Sequence, residues 1–281
     1  MSMKKSSKAI CTVAITALLA VPGFVAAPLL TATPATAAQC GNNASGFNSW
    51  KSAFAQEAKA AGVKSKGLSA LAKAKYATKT IAADRNQKSF RYSLEKFMQV
   101  RGANTIVAQG RKKKAQDGKF LAQLEARYGV PPGPLIAIHG METAFGRGMG
   151  NENVVSALTT LAYDCRRSDF FVPHAIAALK LVDYGSISSN TKGAMHGELG
   201  HTQFLPNNIL KYGVDGDGNG RVDLTNKYDA LASTANFLRA HGWRKGAGYQ
   251  KGQTNFRAIQ GWNAAGVYQQ AIAIMAAQID G

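Results

Sequence analysis

Acidic residues are scarce in this chain. Sixteen aspartates and glutamates stand against 34 lysines and arginines, a formal net charge of +18. Such an excess favours an anionic polymer as partner, whether nucleic acid, an anionic membrane or an acidic cell-wall glycan, and does not by itself choose among them. Charged residues of all kinds make up only 18% against 46% hydrophobic, which excludes a disordered chain and leaves enough apolar material for one large core or two modest ones. Strand signals are weak, and there is no internal repeat, no low-complexity tract after the leader and no clean linker. Cysteines number three, so at most one intrachain disulfide is available.

The long apolar run near the start is broken by Pro22 and Gly23. It follows the basic start MSMKKSSK and ends in TATPATAA, small residues suited to a signal peptidase, so residues 1–38 read as a cleaved secretory signal rather than a stable membrane span. Cleavage is expected after Ala37 or Ala38, and Gln39 before Cys40 spoils the small residue that lipid attachment would need. The leader carries Lys4, Lys5 and Lys8 and no acid, so its loss lowers the charge from +18 to +15. Export removes nucleic acid from the partner list and predicts a periplasmic protein. Cys11 leaves with the leader, and an oxidising compartment then predicts a Cys40–Cys165 disulfide, two buried thiols being the alternative.

Apolar residues recur at helical spacing nearly everywhere else: Phe47, Trp50 and Phe54; LSALAKAKYATKTI; Phe90, Leu94, Phe97 and Met98. GRKKKAQDGK reads as a solvated basic stretch ahead of the helix FLAQLEARYG. Pro134 is placed to open PLIAIHGMETAFG, and further helices are SALTTLAYD, VPHAIAALKLVDYG, YDALASTANFLRAHGW and GVYQQAIAIMAAQI. The expectation is an all-α fold of two closely packed lobes.

One loop carries metal chemistry. In Asp215-Gly-Asp217-Gly-Asn219-Gly220-Arg221, oxygen side chains alternate around glycines, as an EF-hand-like calcium loop requires: Asp215, Asp217 and Asn219 converge, and Arg221 offers its backbone carbonyl. The twelfth position, normally an acid, is Asn226. A longer loop closing on Asp229 repairs the set. The alternative is a solvated Asp/Gly/Asn turn.

Glu142 sits four residues after Ile138 and seven after Leu135, along an apolar stripe near a helix C-terminus. Burial and the negative helix end both raise a carboxyl pKa, which suits a general acid working near neutrality, although the same pattern fits an exposed helix-end glutamate. GELGHTQFLPNN adds a glycine-rich turn with Gln203 and a helix-starting Pro206, suited to lining a cleft opposite such an acid.

Together YGVPP, GMETAFGRGMG, ALTTLAYDCRR, GELGHTQFLPNN, the 215–229 loop and ANFLRAHGW resemble the B family of lytic murein transglycosylases, in order from about Cys40 to the C-terminus. The resemblance implies a lysozyme-like core, residues 126–281 including the calcium loop, with an added N-terminal helical lobe, residues 39–125. It implies cleavage of the β-1,4 bond between N-acetylmuramic acid and N-acetylglucosamine in peptidoglycan strands, with Glu142 acting as acid and then as base on the muramoyl 6-hydroxyl to leave a 1,6-anhydro end. By the same resemblance Gln203, Trp262, Asn263 and Tyr268 line the sugar site, Tyr268 as a hydrogen-bond partner of Glu142. Arg166 falls where the family has a basic residue that contacts glycan or peptide, and it also fits a surface charge. Calcium is the implied structural cofactor. No periplasmic protein partner is legible.

The chain also departs from the family pattern. Ala194 stands where a serine is usual, Glu198 replaces a small residue with His196 beside it, and Phe237 replaces a tyrosine. Two alternatives therefore stand beside the main reading: a hydrolytic muramidase using Glu198 as second carboxylate, and a peptidoglycan-binding protein without catalysis. Zinc at His196, Glu198 and His201 lacks the HExxH spacing.

Overall fold

The computed structural model describes residues 38–86 and 92–281; the expected leader lies outside them up to residue 37, as does Phe90 of the predicted helical stripe. Thirteen α-helices occur among the described residues: α1 (Phe47–Ala60), α2 (Ser65–Lys73), α3 (Thr78–Arg85), α4 (Leu94–Val100), α5 (Ala103–Gln116), α6 (Gly118–Tyr128), α7 (Pro132–Thr143), α8 (Val154–Tyr163), α9 (Ser168–Tyr184), α10 (Pro206–Tyr212), α11 (Lys227–Ala240), α12 (Phe256–Trp262) and α13 (Gly266–Asp280). One two-stranded ribbon, β1 (Glu152–Asn153) antiparallel to β2 (Lys192–Gly193), interrupts them. The expected all-α fold is the one observed.

Helix α7 is the central element. Every residue from Gly133 to Thr143 is buried except Glu142, so a helix that is apolar all round is enclosed by its neighbours, as its composition requires. It begins at Pro132, not at Pro134. Pro134 lies within the first turn, where its missing N–H has no partner to lose. α7 packs on α5 and α13. Small residues set how closely they approach: a Cβ on Gly133 would lie 2.3 Å from the Ala276 carbonyl, and one on Gly110 2.8 Å from Ile279 Cδ1. Side chains from both sides of the 125/126 position share one apolar cluster.

Two local readings need correction. The basic stretch after Gly110 is not only a solvated face. It continues α5, where Arg111 Nε donates to the Gln278 carbonyl (2.9 Å) and Lys114 Nζ to those of Ile279 (3.2 Å) and Asp280 (2.8 Å). Cations thereby cap the negative end of α13. The helix read from Val172 starts earlier, at Ser168, with Pro173 inside it.

The Cys40–Cys165 disulfide is present, with Cα atoms 5.0 Å apart. Gly41 N donates to Tyr163 O (2.9 Å) and Cys165 N to Gly41 O (3.2 Å) beside it. Tyr163 extends this anchor into an aromatic cluster with Phe47, Trp50 and Tyr76. Among the described residues no helix is long and apolar enough to cross a membrane.

Candidate active site

The site starts where α7 ends. Ala144 caps the helix in the left-handed region (φ 49°), and Phe145 follows there (φ 63°), so the chain reverses immediately after Glu142. These conformations cost free energy in residues other than glycine, and surrounding bonds hold them. Thr143 Oγ1 donates to the His201 carbonyl (2.7 Å) and accepts from Gly146 N (2.9 Å), while His139 Nε2 and His201 Nδ1 lie 2.8 Å apart. Burial pushes the His139 imidazole down to about 3, so this contact joins neutral rings near neutral pH. The end of α7 is thereby tied to the glycine-rich turn predicted to face it.

That turn is built from paired backbone bonds, Leu199 N to Phe204 O (2.8 Å) and Phe204 N to Leu199 O (3.0 Å), with Gln203 in the left-handed region (φ 56°). Gly197 also needs a positive φ (84°), and a Cβ there would meet Leu158 at 2.4 Å. α10 begins at Pro206 as expected.

Glu142, Ala194, His196, Glu198, Gln203 and Trp262 are among the residues around a cavity of about 400 Å³, within the range of small-ligand sites. Glu142 as a residue is partly buried and lines the cavity. Oε1 accepts two hydrogen bonds, from Tyr268 Oη (2.5 Å) and Trp262 Nε1 (3.0 Å). Loss of water around the carboxyl raises its pKa from the ordinary 4.5 to about 7; the two donors and Arg101 pull it down, and the nearby charge of Glu198 pushes it up. Tyr268 is itself buried, and burial together with Glu142 keeps its hydroxyl protonated, hence a donor.

Gln203 lines the cavity while its amide N–H groups reach the Gly200 (2.8 Å) and Met149 (3.4 Å) carbonyls, so it presents its oxygen as an acceptor. Asn263 also lines it, with Oδ1 accepting from Ala265 N (2.9 Å) to shape the bend between α12 and α13. Trp262 stands edge-on between Phe204 and Phe237, its ring centroid 5.2 and 5.1 Å from theirs. Arg166 is not at the cavity wall. With Arg167 it pairs with the buried carboxylate of Asp84, whose Oδ1 is 3.8 Å from His196 Nε2. Sequence reading missed Asp84 and Arg101. For Asp84 a signal existed, since it lies three and four positions after the buried Ile81 and Thr80 on α3.

At the start of α11, carboxylate oxygens of Asp215, Asp217 and Asp229 lie within 4.8 Å of one another. Asp229 is fully buried and accepts from the N–H groups of Gly216 (2.8 Å), Asp217 (3.2 Å) and Asp223 (2.7 Å). Asp215 accepts from Gly220 (2.7 Å), Gly218 (2.8 Å) and Asn219 (3.1 Å), which holds its carboxyl below the usual range. Asn226, at the twelfth position, caps α11 through Tyr228 N (2.9 Å) and also donates to Asp217. Three converging carboxylates in a loop wound around Asp229 fit a hard cation with oxygen ligands. Asn219 Oδ1 accepts from Arg221 N (3.0 Å) in the same loop. Among the described residues, His196, Glu198 and His201 form no such ligand group.

A family model described as "Transglycosylase SLT domain" matches residues 46–252. Over 121 residues the chain is 39% identical to "Membrane-bound lytic murein transglycosylase B" of Escherichia coli (strain K12); the match covers 42% of this chain and 34% of the relative, so it spans about a third of that protein. SltB3 from Pseudomonas aeruginosa, solved in complex with NAG-NAM-pentapeptide, is similar in structure with a TM-score of 0.76 and 30% identity, over 84% of this chain and 80% of that one. The Escherichia coli lytic transglycosylase Slt35, solved in complex with calcium, has the same fold: TM-score 0.73 and 22% identity, over 86% and 96% of the two chains.

Proposed function

Because the chain belongs to the Transglycosylase SLT domain family, we propose that it is an exported, periplasmic lytic murein transglycosylase that cleaves the β-1,4 bond between N-acetylmuramic acid and N-acetylglucosamine. In this reading residues 39–125 are an added helical lobe and 126–281 a lysozyme-like core. The observation that carries it is the environment of Glu142, a cavity-lining carboxyl whose pKa is raised to about 7 and whose Oε1 is held by two fixed donors.

The chemistry follows from that arrangement. Near neutrality a large fraction of Glu142 carries a proton. With Tyr268 and Trp262 donating to Oε1, Oε2 is the oxygen that bears it and delivers it to the glycosidic oxygen. The C1–O4 bond breaks, and the leaving N-acetylglucosamine departs with a free 4-hydroxyl. The carboxylate left behind is stabilised by the same two donors. It takes the proton of the muramoyl 6-hydroxyl as that oxygen bonds to C1, which closes the 1,6-anhydro ring and returns Glu142 to its acid form. No water is consumed, so one carboxyl suffices where most glycosidases use two. Gln203 and Asn263 offer polar contacts to the sugars, and Trp262 an aromatic wall.

Calcium belongs to the same reading. Asp215, Asp217, Asn219, the Arg221 carbonyl and Asp229 form its ligand set, and the ion supplies structural charge balance to the loop that leads into α11. Arg166, half-exposed and paired with Asp84 away from the cavity wall, is read as a contact for the anionic peptide or glycan. The experiment that tests the assignment is the identification of the sugar ends released from purified peptidoglycan by the wild type and by Glu142→Gln.

A further inference from the structure

Glu142 shares its cavity with a second carboxylate. Glu198 lines the same wall, its side chain 25% exposed, and it is fixed from several directions. Its backbone carbonyl accepts from Ala194 N (2.9 Å). Its Oε2 accepts from His196 N (3.1 Å), and its Oε1 lies 3.4 Å from His196 Nδ1. His196 in turn reaches Asp84, the buried acid clamped by Arg166 and Arg167. A chain of polar side chains thus runs from Arg166 and Arg167, through Asp84 and His196, and ends on a carboxylate lining the cavity. The proton-transfer scheme above gives that carboxylate no task.

We propose that Glu198 is a positioning residue of this reaction: a fixed negative charge, steered by His196, that keeps Glu142 in its acid form so that it still donates a proton at neutral pH. The inference rests on the reading of Glu142 as the acid. Like charges in a common cavity disfavour each other's ionisation. The two carboxyls divide the burden by environment. Glu142 is walled by Trp262 and Tyr268, and loss of water around it favours its protonated form, whereas Glu198 has solvent contact and an imidazole beside it. The groups facing Glu142 are Tyr268 from α13, Trp262 from α12, Arg101 from the end of α4, and Glu198. Those facing Glu198 are Glu142, His196 and His174 of α9, with Asp84, Arg166 and Arg167 behind His196. Arg101 opposes the effect of Glu198, and burial acts in the same direction as Glu198.

Two readouts on the mature protein test this. The first needs no turnover: the carboxyl titration of Glu142 by infrared difference spectroscopy, with Glu142→Gln to identify the band, in wild type and in Glu198→Gln. Glutamine keeps the shape and can still accept from His196 N, and a melting curve verifies folding. The expected result is a Glu142 midpoint lower by roughly half to one pH unit. The second is the pH profile of kcat on peptidoglycan. The alkaline limb should move to lower pH, so the ratio of rates at about pH 5 and about pH 7.5 rises roughly three- to tenfold. Glu198→Asp, which retains the charge, should recover part of that ratio.

An unmoved midpoint in a protein that releases anhydro-muropeptides overturns the proposal and leaves the transglycosylase reading intact. A protein releasing no cleavage product overturns both. Reducing-end products that vanish in Glu198→Gln also overturn it, since Glu198 would then be the base for an attacking water.

Discussion

The Tyr268 hydroxyl lies 2.5 Å from Glu142 Oε1 and donates to it. The bond joins the start of α13 to the end of α7, so two helices packed on each other also orient the reacting carboxyl. It stabilises the charged form of Glu142 against the burial that opposes it. Tyr268→Phe therefore should raise the Glu142 pKa above about 7 and weaken it as the base of the second step. We expect kcat to fall roughly ten- to a hundredfold while the alkaline limb moves to higher pH, the opposite sense to Glu198→Gln. A pH profile of the variant that coincides with wild type would contradict the role given to this bond.

The same pKa makes a stability prediction. The folded-state value of Glu142, about 7, lies above the ordinary 4.5, so the folded protein binds the extra proton between those values. Its contribution is fully present below the lower value and is lost as pH rises through the upper one. Wild type should lose roughly 1–3 kcal/mol between about pH 4.5 and pH 8 from this group, the figure being discounted for its partial exposure. Glu142→Gln should lack that decline. Urea titrations of both proteins across the range check it, and parallel pH dependences would refute it.

How much of this was legible in the sequence differs by element. Phe47, Trp50 and Phe54 repeat at helical spacing and are all buried, because one face of α1 must meet the core. Glu142 was visible as an acid in an otherwise apolar helix, and Tyr268 and Trp262 only through resemblance. The capping of α13 by Arg111 and Lys114 was not legible, since a lysine bound to a carbonyl 165 residues away looks locally like a solvated one. The His139–His201 contact and the clamp on Asp84 were hidden for the same reason: their partners come from distant segments brought together by packing.

Calcium should stabilise the protein through the 215–229 loop. At a hundredfold excess over its dissociation constant the ion should add roughly 2.7 kcal/mol, a rise in Tm of about 5–10 °C. Asp215→Ala should abolish the increment. Differential scanning calorimetry with calcium and with a chelator decides the matter, and identical Tm values for wild type would reduce the loop to an ordinary turn.

Reduction of Cys40–Cys165 removes a cross-link that spans 125 residues. The chain-entropy model puts its worth at roughly 4–5 kcal/mol, so Cys40→Ser paired with Cys165→Ser should lower Tm by roughly 10 °C or more. An unchanged Tm in the double variant would mean that the aromatic cluster around Tyr163 holds the N-terminus unaided.

The most direct test of the central claim is mass spectrometry of the fragments that residues 39–281, in calcium buffer, release from purified peptidoglycan, with Glu142→Gln alongside. The account predicts 1,6-anhydro-muropeptides from the wild type and at least a roughly thousandfold loss in the variant. Reducing-end products would contradict transglycosylation, and anhydro products undiminished by Glu142→Gln would contradict the assignment of the acid.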